Sequence, residues 1–153
     1  MFKSLSLKVI IFGFIFTFFS SFGQSFFIGL FNSSIRETLS ISHGQFGTIY
    51  ASATLCSSLL VIWIGKKIDD VNVLKFAIFV TILLSFSSFF FSKITSVVFL
   101  FVAIFLMRFS GQGMMSHTAS TTISRYFTKS RGRALSMISV SYTHLTLPTI
   151  YSV

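Results

Sequence analysis

Long apolar runs alternate with short polar breaks along the chain. The runs cover roughly residues 9–31, 44–64, 73–91 and 97–120, and a shorter fifth run begins near residue 133. An α-helix needs about 20 apolar residues to cross a hydrocarbon core roughly 30 Å thick. The pattern therefore predicts an all-α membrane protein with four transmembrane helices and the start of a fifth over residues 133–140.

The composition supports a membrane location. The chain is 53% hydrophobic and 10% charged, whereas soluble domains carry about 25% charged residues. The net charge is +9, but the basic residues lie mostly in the breaks between the apolar runs. This distribution predicts the lipid bilayer as partner and argues against nucleic acid.

The first run has two interpretations. A basic start, an apolar stretch and small residues at 20–23 are typical of a signal peptide. However, the apolar character resumes at residues 26–31, which favours a retained helix that is long enough to span. On that helix Gly13, Thr17, Ser20 and Gln24 share one face. We expect the small residues to pack against other helices, which leaves Gln24 as a candidate for a polar path.

The start of the second run carries a capping signal. Ser42 precedes Gln45 by three residues, the spacing of a capping box, and predicts a helix start there. Residues 32–43 before it are predicted to form a polar loop. Along the second helix, Gly47, Ala51, Thr54 and Ser58 form a small-residue face where we expect another helix to approach closely.

The loops predict the orientation. If the helices alternate in direction, one side holds nine basic residues and the other holds two. The nine are Lys3, Lys8, Lys66, Lys67, Lys75, Arg125, Lys129, Arg131 and Arg133, and the two are Arg36 and Lys93. Cytoplasmic loops carry an excess of Lys and Arg, so the N-terminus and the 65–75 loop are predicted to be cytoplasmic.

No enzyme signature is present, and we predict no catalytic residue, metal or cofactor. Gly111 and Gly113 begin a glycine pattern that has Ser116 where a dinucleotide fingerprint needs its third glycine, and they lie within an apolar run. The histidines at 43, 117 and 144 have neither the spacing nor the carboxylates of a metal site. Only three acidic residues occur in the chain.

Arg108 is the one charged residue deep within an apolar run. A cation at the centre of a membrane helix costs at least about 2.5–3.5 kcal/mol, so it should face the bundle interior or an aqueous cavity. Either it pairs with backbone carbonyls of another helix, or it lines a transport path. Gln112 lies on the same face at helical spacing. His117 points away from that face and is expected to pack near the cytoplasmic end.

Three segments resemble motifs of the major facilitator superfamily. Residues 65–72 (GKKIDDVN) resemble its loop between helices two and three. Gly65 and Asp69 match, and Asn72 replaces the usual second glycine, since Asn also tolerates the left-handed conformation. Arg108, followed by Gly-x-Gly, resembles the motif of helix four. Residues 125–127 (RYF) and 131–135 (RGRAL) resemble the loop into helix five.

The resemblance implies a function and roles for these residues. Such proteins are secondary transporters of two six-helix halves that work by alternating access. Arg108, Gln112 and Gln24 would lie on the path of a small-molecule solute or a proton. Gly65, Asp69 and Asn72 would form a gating loop, and Gly111 and Gly113 would serve helix packing. An organic anion is the suggested solute because guanidinium binds carboxylate well.

The end of the chain departs from this pattern. After Val140 come Thr and Tyr residues and Pro148, which predict extended structure. This string resembles translated sequencing-adaptor read-through. We therefore interpret residues 1–140 as part of an N-terminal transporter half in a bacterial inner membrane, and residues 141–153 as a non-native tail. The alternative is a complete small four-helix membrane subunit with a structural or assembly role.

Overall fold

The computed structural model describes residues 4–69 and 71–150, with side chains described at 6–66, 68 and 71–141. Within these ranges the chain forms helices and no strands. The α-helices are α1 Ser4–Ser20, α2 Ser25–Gly29, α3 Asn32–Leu39, α4 His43–Gly65, α5 Val73–Phe91, α6 Val97–Met107, α7 Ser116–Tyr126 and α8 Arg131–Ile150. The predicted all-α class is confirmed.

Four stretches are long and apolar enough to cross a membrane, as the sequence predicted. They are Ser6–Gly29, His43–Gly65, Val73–Phe91 and Val97–Tyr126, called here the first to fourth spans. Only helices and closed barrels satisfy every backbone polar group inside lipid. The chain is therefore an integral membrane protein.

The first span is broken near its end. After α1 the backbone tightens into a 3-10 turn at Ser21–Gly23, and Gln24 is extended (φ −80°, ψ 156°) before α2 begins. The predicted small-residue face of α1 does pack. A Cβ on Gly13 would lie 2.9 Å from Cδ1 of Ile123 on α7, and Thr17 and Ser20 are buried.

The fourth span changes its winding in the middle. Between α6 and α7, residues Arg108–Met115 form a π-helical segment, called here the π segment. It packs against the first, second and third spans. Faces predicted from the α-helical period do not hold through this segment, because each turn of a π-helix takes in an extra residue.

The bundle has a basic end, which carries the described residues 4–10, 65–69, 71–75 and 125–133. Ile10 lies beside Phe127 and Ala134 there, which brings together the starts of α1 and α8. The apolar core near this end includes Phe76, Met114 and Ile123. A second core, built around Ile28, Phe46, Leu100, Ile104 and Met107, lies toward the opposite end.

The polar loop predicted at residues 32–43 is wrong over most of its length, since α3 occupies Asn32–Leu39. Ile35 anchors this helix by burying its side chain, and tertiary packing of one apolar residue outweighs the weak propensity of a polar stretch. The helix ends at Ser40, whose backbone is left-handed (φ 52°).

The predicted start of α4 is confirmed. The Gln45 N–H donates to Ser42 Oγ at 3.2 Å, and the Ser42 N–H donates to Gln45 Oε1 at 2.8 Å. The expected close approach at its small-residue face is not observed among the described residues. A Cβ on Gly47 would meet nothing within 4 Å, because α4 packs instead through its buried residues, Phe46, Ala53 and Ser57.

The extended structure predicted after Val140 is also wrong. Helix α8 runs without interruption over Arg131–Ile150, and the buried Ser141 hydroxyl donates to the Ile138 carbonyl at 2.7 Å. Extending an existing helix is far easier than starting one, so weak local propensity does not stop it at residue 140. Residues 151–153 lie outside the described part of the chain.

Candidate functional site

Arg108 begins the π segment and is buried, with 8% of its surface exposed. Its Nη1 donates to the Gly23 carbonyl at 3.1 Å and lies 3.3 Å from Ser25 Oγ. The last carbonyls of a helix have no partner within it. Arg108 therefore caps the break in the first span from a neighbouring helix, which is the pairing with backbone carbonyls that the sequence allowed.

Tyr50 on α4 completes the surroundings of Arg108. The guanidinium carbon lies 5.3 Å from the centre of the Tyr50 ring, within cation–π range. The Tyr50 hydroxyl donates to Ser25 Oγ at 2.8 Å. Three spans thus meet in one small polar cluster of Arg108, Tyr50 and Ser25. Sequence reasoning missed Tyr50, although a hydroxyl-bearing aromatic inside an apolar span was a usable signal.

Two glycines bring the first and fourth spans into backbone contact. A Cβ on Gly23 would lie 2.5 Å from the Gln112 backbone nitrogen and 2.8 Å from the Gly111 Cα. A Cβ on Gly111 would lie 2.7 Å from the Gly23 nitrogen. Real Cβ atoms do not approach backbone atoms this closely, so both positions need glycine. The predicted residue Gly111 thus meets a partner, Gly23, that sequence reasoning had not singled out.

Gly113, the second predicted packing residue, faces the second span. A Cβ there would overlap Cγ2 of Val61 on α4. Because Val61 contributes a side chain and not backbone, this contact is less rigid than the one between Gly23 and Gly111.

The two predicted glutamines flank the break. Gln112 follows Arg108 by four residues, and its Oε1 is buried with no hydrogen-bond partner among the described residues. Ser21 Oγ and Thr54 Oγ1 are also buried without a hydrogen-bond partner among the described residues. Gln24 lies in the extended link itself and is partly buried. Buried polar atoms normally have partners, so the surroundings of the break retain unused hydrogen-bonding capacity.

The predicted motif at 65–72 lies at the basic end, far along the bundle from Arg108. The Gly65 carbonyl is 3.0 Å from His117 Nε2 on α7, and the Ile68 carbonyl accepts from Arg125 Nη2 at 3.2 Å. Asp69 ends a short 3-10 turn. Its side chain lies outside the described part of the chain, as does all of Asp70.

Asn72 has a different conformation from the one expected of a glycine substitute. Its backbone is extended (φ −60°, ψ 122°), and its Oδ1 accepts from the Leu74 N–H at 2.9 Å. The side chain therefore caps α5, the ordinary role of Asn at a helix start. Asn72 therefore does not adopt the left-handed conformation that Asn tolerates.

A cavity of about 480 Å³ lies beside the break, toward the end opposite the basic end. Its lining includes Phe22, Phe27, Phe31, Phe91 and Met107 and does not include Arg108. The cavity is mainly apolar, so the charged cluster and this cavity are separate features. Within the described residues, no group of His, Cys, Asp or Glu is placed to hold a metal ion.

Neither the curated proteins nor the solved structures contain a match to the chain. The family model of the Major Facilitator Superfamily matches residues 13–144, a range that includes Arg108, both glycines of its motif and the 65–72 segment. The match supports a transporter and does not favour the small structural subunit. The chain therefore belongs to the Major Facilitator Superfamily.

Proposed function

We propose that the chain is the N-terminal part of a membrane transporter that moves a small organic anion by alternating access. The observation that carries this proposal is Arg108, a buried cation at the break of the first span. A buried cation in a membrane helix is expensive and marks a functional site more often than not. The proposed fold unit is residues 1–140, with the rest of the transporter following.

The guanidinium has two donors that a carboxylate could use. Among the described residues, Arg108 donates hydrogen bonds through Nη1, which leaves Nη2 and Nε without an acceptor there. These two donors form one side of the guanidinium fork, which matches the two oxygens of a carboxylate. In this proposal, Gln112 and Gln24 add neutral hydrogen bonds to other groups of the solute.

Solute binding to Arg108 would weaken the hydrogen bonds that hold the break in the first span. An anion that attracts the guanidinium weakens its bonds to Gly23 and Ser25, and these bonds hold the two parts of the first span together. A solute can shift a conformational equilibrium only by binding one state more tightly than the other. A carboxylate on Nη2 and Nε that draws the guanidinium away from the Gly23 carbonyl supplies such a difference.

The loop at 65–72 is the proposed gate. Gly65, Asp69 and Asn72 lie at the basic end, where this segment connects the second and third spans. The excess of basic residues at that end supports a cytoplasmic location for it and for the N-terminus, in a bacterial inner membrane. In this proposal the gate opens and closes at the cytoplasmic side while the solute binds near Arg108.

The first experiment establishes the full-length protein. Long-read sequencing of the gene across codon 140 is expected to find an open frame that encodes further apolar helices. Reconstituted in vesicles, that protein should accumulate labelled succinate, lactate or benzoate more than glucose or choline. Uptake is then measured with and without a pH gradient, which tests proton coupling. Equal uptake of all five compounds, at the level of empty vesicles, would refute the transport proposal.

A further inference from the structure

His117 is a polar residue that the proposed transport path does not use. It lies on α7 near the basic end, and its Nε2 is 3.0 Å from the carbonyl oxygen of Gly65. Because a carbonyl oxygen only accepts hydrogen bonds, Nε2 carries the proton and donates. Gly65 is the last residue of α4, so its carbonyl has no partner within that helix. The imidazole of the fourth span supplies this partner.

The close approach depends on glycine at position 65. A Cβ there would lie 3.3 Å from His117 Nε2 and 3.4 Å from Cδ2. The imidazole therefore packs against the bare Cα while it bonds to the carbonyl of the same residue. An alanine would push the ring away by a few tenths of an ångström and so strain the hydrogen bond. Gly65 thus serves this contact, since its backbone has no positive φ that would itself require glycine.

A second donor from α7 holds the next part of the loop. Arg125 Nη2 donates to the Ile68 carbonyl at 3.2 Å, three residues after Gly65. His117 and Arg125 therefore fix both ends of the 3-10 turn Lys66–Asp69 to the fourth span. Any motion of this turn away from α7 must break both of these bonds.

We infer that His117 is a positioning residue for the turn Lys66–Asp69 of the proposed gate: its Nε2–H holds the Gly65 carbonyl and keeps this turn against the fourth span. This inference rests on the proposed function for its effect on transport, but the contact itself does not. Because the imidazole only anchors the loop, its loss should change how fast the gate moves and leave solute binding at Arg108 nearly unchanged.

The test compares two replacements of similar size. In His117→Gln, the amide Nε2 can occupy nearly the same place as the imidazole Nε2 and donate to Gly65. His117→Leu fills the space without a donor. Each variant is made in the full-length protein with Cys56→Ser and Ile68→Cys, and the reaction of the new thiol with a maleimide added from the side of the basic end is timed. Ile68 is fully buried in the same turn, so a thiol there reacts only when the turn moves away from the bundle.

We expect labelling to be about two- to tenfold faster in His117→Leu, the factor that corresponds to losing one hydrogen bond. His117→Gln should label at nearly the parent rate. Gly65→Ala displaces the ring only slightly, so it should label faster than the parent and no faster than His117→Leu. The double variant should label no faster than His117→Leu, because both changes act on the same contact. Gly65→Ala also tests the contact independently if His117→Leu does not fold.

Equal labelling rates for the leucine variant and the parent, or for the leucine and glutamine variants, would overturn the inference. Uptake measurements distinguish a failure of the positioning role of His117 from a failure of the proposed transport function. If the protein transports, His117→Leu should change kcat with little change in KM, and His117→Gln should restore it. If no solute is transported but the labelling pattern appears, the positioning role holds and the transport proposal fails.

Discussion

Gly23 lies where the backbones of the first and fourth spans touch, and there is no space for a side chain at this position. Backbone atoms of Met107, Gly111 and Gln112 surround the position where its Cβ would be. Side chains can rotate away from an added methyl group, whereas packed helix backbones must move apart together. The contact between the first and fourth spans therefore depends on glycine at this one position.

Gly23→Ala should be strongly destabilising. Overpacking usually costs about 1–3 kcal/mol, and we expect the upper end or more because the obstructing atoms belong to the backbone. Thermal unfolding of the detergent-purified protein measures the effect. Gly29→Ala is the matched control, six residues along the same span, where a Cβ would meet nothing within 4 Å. Equal melting temperatures for the two variants would contradict the close contact.

At the scale of single residues, the sequence predicted Arg108 as a candidate but did not predict the residues that contact it or its segment. Arg108 was found because a cation inside an apolar run is costly and rare. Gly23 and Tyr50 were missed because their roles come from the fold. Nothing local to Gly23 distinguishes it from Gly13, and Tyr50 gains its meaning only when the second and fourth spans lie side by side.

At the scale of elements, the π segment decides how the fourth span meets its neighbours. It directs Arg108 toward the break in the first span and brings Gly113 against Val61 on α4. A π-helical turn widens the backbone and shifts every later side chain around the axis. The two ends of the fourth span therefore face partners that an uninterrupted α-helix would not reach together.

A double variant tests this packing. Gly113→Ala alone should destabilise the bundle because the new Cβ overlaps Val61 Cγ2. Val61→Ala alone removes that methyl group and should cost less. Together they should cost less than the sum of the two, with a coupling of about 0.5–3 kcal/mol. Thermal unfolding of all four proteins gives the coupling, and strictly additive changes would show that the two residues do not touch.

Sequence patterns located the elements better than their internal detail. Hydropathy found every span, and the Ser42 and Gln45 capping box fixed the start of α4. The pattern missed α3, whose stability comes from burying Ile35, and it ended α8 too early. It could not find the π segment, because apolar periodicity in a nearly all-apolar span carries little information about winding.

At the scale of the whole molecule, the described surface suits lipid. Large apolar side chains such as Trp63, Val98 and Leu74 are 76%, 75% and 66% exposed, respectively. In water such a surface would be a severe liability, but hydrocarbon chains cover it in a bilayer. The spans could be predicted from the sequence because lipid requires each backbone polar group to be satisfied within its own helix. Each crossing is therefore a long, continuous apolar run.

Orientation is the untested part of this arrangement. With Cys56→Ser as background, Lys66→Cys and Thr95→Cys place single thiols at the basic end and the opposite end. We expect an impermeant maleimide added to intact cells to label only the cysteine at position 95. In inverted vesicles it should label only the one at position 66, because basic loops remain cytoplasmic. The opposite pattern would reverse the proposed topology.

Anion uptake by Arg108 variants of the full-length protein tests the proposed role of this residue in transport. Arg108→Gln should lower the initial rate about tenfold or more, the factor that corresponds to losing a charged hydrogen-bond partner. Arg108→Lys should retain part of the rate with a raised KM, because an ammonium keeps the charge but lacks the fork. Arg36→Gln, at the opposite end, is the control that should retain uptake. Unchanged uptake of every tested anion by both Arg108 variants would contradict the account.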